Sequence, residues 1–60
     1  MQIMIKEKLS HEPIIINGVL AIRDNPRSKS YYFEGVNNED KPFCYWYPHE
    51  MIEYFRKVGD

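Results

Sequence analysis

Little in this chain is suited to covalent or metal chemistry. Cys44 is the one cysteine among 60 residues, so no disulfide can close within the chain, and a lone thiol fits a reducing compartment or simple use in a core. Glycine occurs three times, always singly, at Gly18, Gly35 and Gly59, which leaves no glycine-rich loop to cradle a phosphate. A structural zinc site draws its ligands in close pairs, whereas Cys44, His11 and His49 are scattered. Cys44 and His49 as nucleophile and base have no acid or amide placed to orient the histidine. The carboxylates of Glu39 and Asp40 are adjacent on a turn and diverge, where catalytic carboxylates face each other across a cleft. No enzyme activity, cofactor or metal is therefore expected.

Charge and apolar length are also scarce. Eight basic and nine acidic residues give a formal net charge of −1, which supplies no long-range field toward a nucleic acid or a membrane surface. Lys6, Glu7, Lys8 and Glu12 interrupt the apolar residues of positions 1 to 22, so neither a signal peptide nor a membrane span is expected, and the reading is cytoplasmic. A chain this short buries only about 60% of the surface its unfolded form exposes, so it makes one domain with a thin core.

Aromatics are what the chain has in quantity, with five tyrosines, three phenylalanines and one tryptophan. They gather in Tyr31-Tyr32-Phe33, in Phe43 to Tyr47, and at Tyr54 and Phe55. Lys41 to Gly59 is the segment around which the rest is expected to be organised. Phe43, Tyr45 and Tyr47 share one face of an extended strand and Cys44 and Trp46 the other, the pattern of a central strand covered on both sides. Pro48 and Glu50 suit the first turn of a helix, and Met51, Ile52, Phe55 and Val58 recur at spacings of three and four, with Glu53 and Lys57 as an exposed pair. These features predict a C-terminal helix over about 48–57 whose stripe docks on a sheet, with Trp46 and Phe55 at the strand-helix junction.

The sheet must come from residues 1 to 47. Gln2 to Leu9 alternates as a half-buried strand, ending at Ser10 to Pro13. Ile14 to Ile16 and Val19 to Arg23 read as a hairpin turned by Asn17-Gly18, or else as one longer strand with a glycine bulge at Gly18. Asp24 to Ser30 is a polar loop, and Tyr31 to Val36 is a strand that turns through Asn37 to Asp40 into the Lys41 strand. The expected fold class is mainly β with one helix (α+β): a single domain over 1–60, with four or five short antiparallel strands as a small barrel or curled sheet. The order GVLAIRDNPRSKSYYFEGVNNEDKPFCYWYPHEMIE weakly resembles Src-homology-3-like and Tudor-like small barrels, in which aromatic strands lead into a closing helical turn. That resemblance implies a binding module, and the terminal helix departs from it.

Tyrosines on both faces of the predicted strands exceed what a small core needs, and tyrosine and tryptophan are enriched where proteins bind one another. Tyr31, Tyr32, Tyr45 and Tyr47 are the candidate binding residues, for a protein partner or for a second copy in a two-fold dimer. Arg23, Arg27 and Lys29 beside Tyr31 and Tyr32 are the alternative, a patch for single-stranded nucleic acid, opposed by Asp24, Glu34, Glu39 and Asp40. Richness in Ile, Lys, Asn and Tyr also resembles the composition of small accessory proteins of AT-rich bacteria and their phages, which implies an inhibitor or modulator of a host protein.

Overall fold

Two alternating isoleucines start the structure. The computed structural model describes residues 1–60 and contains six strands: β1 Gln2–Glu7, β2 Ile14–Ile16, β3 Val19–Asn25, β4 Ser30–Val36, β5 Pro42–Pro48 and β6 Ile52–Gly59. Ile3 and Ile5 of β1 point to one side and are buried to 1% exposure, as strand alternation requires. β1 pairs antiparallel with β2 on one edge and with β6 on the other, and β3, β4 and β5 form a second antiparallel sheet in that order. The two sheets enclose Ile3, Ile5, Ile16, Val19, Phe33 and Ile52.

Asn17-Gly18 does not close a hairpin. β2 pairs with β1 and β3 with β4, and Val19 exchanges both backbone hydrogen bonds with Met1, at 3.0 and 2.8 Å. Thus β2 and β3 act as one strand bent at Gly18, the bulged alternative, and that strand belongs to both sheets. Gly18 has φ +77°, and a Cβ placed there would meet the carbonyl oxygen of Val36, so glycine meets both a conformational and a steric requirement.

The C-terminal helix is absent, and the α+β class is corrected to an all-β fold without a closed barrel: the outer strands β5 and β6 do not pair with each other. Residues 48–57 hold one 3-10 turn, His49–Met51, and most of β6. Register shifts explain the helix-like spacing. Glu7 pairs with Ile52 and Lys6 with Tyr54, so Glu53 is an extra residue, and a second irregularity leaves out Val58 between Lys57 and Gly59. A bulge resets strand parity, so Ile52 and Phe55, three apart, both turn to the core. Glu53 pairs with Lys6 across the strands at 3.6 Å, and Lys57 with Asp60 at 3.3 Å, in place of an i,i+4 helical pair. Tyr54, Phe55 and Val58 are good strand formers, and β1 offers them a partner that an isolated short helix would lack.

Three smaller expectations also shift. β1 stops at Glu7, and Leu9 is 86% exposed. The polar loop shortens to Pro26–Lys29, because β3 runs to Asn25 and Ser30 opens β4 fully buried. The central strand of the aromatic sheet is β4, while β5 is its edge, so Trp46 is not a core junction and is 54% exposed.

Phe33 is fully buried and meets Tyr47 and Phe55 edge to face at ring separations of 5.8 and 5.3 Å. Phe33→Ala should cost about 3 to 5 kcal/mol and abolish the cooperative melt of so small a domain. Trp46→Ala should cost about 1 kcal/mol or less. Thermal melts by circular dichroism compare the two, and equal destabilisation would contradict this assignment of the core.

Candidate functional site

The aromatic strands β4 and β5 build surface on both sides of their sheet. Register sets Tyr32 between Arg23 and Trp46, and Glu34 between Ala21 and Cys44, so these side chains share the outer face. Tyr31, Phe33, Phe43, Tyr45 and Tyr47 take the opposite parity. Of these, Phe33 is sealed in the core, while Tyr45 on the edge strand is 46% exposed.

A groove opens beside Tyr45. β2 and β5 face each other without hydrogen bonding, since β2 pairs only with β1 and β5 only with β4. Ile14, Ile15, Phe43, Tyr45 and Tyr47 line a groove of about 330 Å³, with Asn17 and Asn37 offering amides. Phe43 and Tyr45 stack obliquely at 5.0 Å and form its floor. Burial raises the Tyr47 phenol above the ordinary tyrosine value, with smaller contributions from the negative charge of Glu7 and from Tyr45. Loop Asn37–Lys41 is held by the Asn37 side-chain carbonyl, which accepts from the N–H groups of Glu39 and Lys41 at 2.9 and 3.1 Å.

On the outer face, Tyr32 and the exposed Trp46 lie side by side across the strands, a cross-strand aromatic pair on a solvated face. Arg23 forms an ion pair with Glu34 at 3.3 Å, which offsets its charge locally. Arg27 and Lys29 project from the β3–β4 turn, where the Asn25 side-chain carbonyl accepts from the Arg27 and Ser28 N–H groups at 3.0 and 3.2 Å. That turn is tied down by its neighbours. The His49 N–H donates to the Lys29 carbonyl at 2.7 Å, and the His49 ring lies 2.7 Å from a carboxylate oxygen of Asp24.

The four tyrosines expected to bind are therefore divided. Tyr45 and Tyr47 meet in the groove, and Tyr32 is on the outer face. Tyr31 is half-buried between His49 and Phe55, at 4.4 and 4.9 Å, and serves packing. Of the basic residues, Arg23 is on the outer face and Arg27 and Lys29 are at the turn, so they do not form one patch. Ile14, Ile15 and Trp46 are exposed, and Phe43 is half-buried at the groove; none of the four is among the residues that the sequence points to for binding. Three consecutive isoleucines lack the alternation of a half-buried strand, and that was the available signal. Cys44 is exposed on the outer face, opposite Glu34 and apart from His49. No helix is long and apolar enough to cross a membrane. No protein-family model, curated protein or solved structure matches the chain.

Because the Tyr47 phenol is harder to ionise when folded than when unfolded, its contribution to stability is complete below the unfolded tyrosine value of about 10 and is lost as pH rises through the folded one. Tyr47→Phe should accordingly reduce the loss of stability between pH 9 and 12, values at about the tyrosine range. Urea unfolding across that range is the check, and identical pH profiles for parent and variant would contradict it.

Proposed function

We propose that this chain is a non-catalytic binding protein that acts through protein–protein contacts at its aromatic sheet surfaces. Its small size and its richness in Ile, Lys, Asn and Tyr support the further reading that it inhibits or modulates a host protein. The observation that carries this reading is the exposure of Tyr45 and Trp46, 46% and 54%, as neighbours on opposite faces of one edge strand. A tyrosine and a tryptophan left half-open in so small a domain lose burial they could have had in the core. Such side chains are the commonest binding hot spots because they bring large area and a polar tip at low entropic cost.

The nucleic-acid alternative rests on Arg23, Arg27 and Lys29 with Tyr32 and Trp46 as stacking rings. Local electrostatics weigh against it. Glu34 neutralises Arg23 and lies in the same outer pocket as Arg23 and Tyr32, where a phosphate backbone would meet its carboxylate.

Capture on the immobilised chain from a bacterial lysate should recover a stoichiometric protein. Trp46→Ala or Tyr45→Ala should then weaken that complex by about tenfold or more, while the double variant Arg27→Ala, Lys29→Ala binds within about twofold of the parent. Recovery of nucleic acid alone, with binding lost in the Arg27 and Lys29 variant and a salt slope that flattens, would overturn the reading.

A further inference from the structure

Resting on that reading, we propose that the groove between β2 and β5 receives an extended, basic segment of a partner protein, added as a strand along the free edge of β2. Four sheet edges are open in this fold, those of β2, β3, β5 and β6, and they differ in protection: β3 carries Arg23 and Asp24 and a register irregularity between Val19 and Ala21. Natural edges are blunted by charge, proline and bulges. β6 carries exposed Glu53, Arg56 and Lys57 and two register irregularities, and β5 is bounded by Pro42 and Pro48. β2 has only isoleucines, with Ile14 and Ile15 each 45% exposed, and no charged side chain of its own. Its outer backbone groups face the groove without a strand partner, the template used in strand addition.

Charge selects the occupant. The groove lining is itself uncharged; the segments adjoining its residues in sequence, the end of β1 with loop 8–13 before Ile14 and loop 37–41 from Asn37, carry Glu7, Glu12, Glu39 and Asp40 against Lys6, Lys8 and Lys41. Lys41 and Glu39 engage each other at 3.8 Å and Lys6 is engaged by Glu53 of β6 at 3.6 Å, which leaves Glu7, Glu12 and Asp40 against Lys8. The field of Glu7 reaches the Tyr47 hydroxyl on the groove wall. Lysine or arginine side chains on an incoming strand would meet this acidic frame, and their stems and charges suit the faces of Tyr45 and Tyr47. A second copy is a poor occupant, because pairing two β2 edges brings two acidic frames together. A nucleic acid is repelled by the same carboxylates. β2 spans three residues, so pairing covers roughly 10 Å of the segment, and alternate side chains would lie on the aromatic floor.

The test is an amide NMR titration of the full chain with three capped octapeptides. One alternates valine and lysine, one alternates valine and glutamate, and one is the valine-lysine peptide N-methylated at every second residue so that it cannot pair. The valine-lysine peptide should shift Ile14, Ile15, Asn37 and Tyr45, and should bind about tenfold or more tightly than either of the others. Tyr45→Ala should weaken it by about tenfold with the melt unchanged. No saturable binding up to millimolar peptide, equal binding of the glutamate or N-methylated peptide, or concentration-dependent shifts of these residues without peptide would each overturn the proposal. Shifts confined to Tyr32 and Trp46 would overturn it too while leaving protein binding by the aromatic surface intact. Failure of that broader reading is registered separately, by the partner capture.

Discussion

Everything in this fold passes through the bend at Gly18. The Gly18 carbonyl accepts from the Val36 N–H at 3.1 Å, and a Cβ on Gly18 or on Gly35 would overlap the carbonyl oxygen of Val36 or of Gly18 respectively. Two facing glycines therefore let the β4 backbone approach closely enough for one chain segment to leave the β1 sheet and enter the β4 sheet. Without that approach the core would be open, since Ile3, Ile5 and Ile16 come from one sheet and Val19 and Phe33 from the other.

The same bend makes the surface. β2 ends where β3 turns toward β4, so β2 keeps an unpaired edge opposite the inner face of β5, and Tyr45 is left overhanging a groove. Exposed aromatics on β5 follow from its place at the edge of a three-stranded sheet, where only β4 covers it. A domain with one thin core has few residues to spare for a second layer. The aromatic excess thus divides between Phe33 and Phe55, which hold the sheets together, and Tyr32, Tyr45 and Trp46, which face solvent.

Alternation made much of this legible beforehand. Ile3 and Ile5, the Tyr31–Val36 strand and the Asn37–Asp40 turn behave as their patterns imply, and Asn17-Gly18 marked a backbone irregularity although the hairpin reading of it fails. What misled was β6. One extra residue at Glu53 gives Ile52 and Phe55 a helical spacing, and Pro48 with Glu50 mimics a helix start. Periodicity is blind to bulges, because the partner strand that absorbs the extra residue is distant in sequence. Pairing order is equally hidden: nothing local in Phe43 to Tyr47 distinguishes an edge strand from a central one, so the pattern alone puts Trp46 in the core and gives Tyr45 and Tyr47 no groove.

The dependence of both sheets on one close backbone approach is tested most directly by urea unfolding of Gly18→Ala. A positive φ alone costs an alanine about 1 to 2 kcal/mol, and displacing Val36 must add to it. The account predicts a loss of about 3 kcal/mol or more, with both sheets lost in one transition. A variant that unfolds at the urea concentration of the parent, with an unchanged slope, would contradict it.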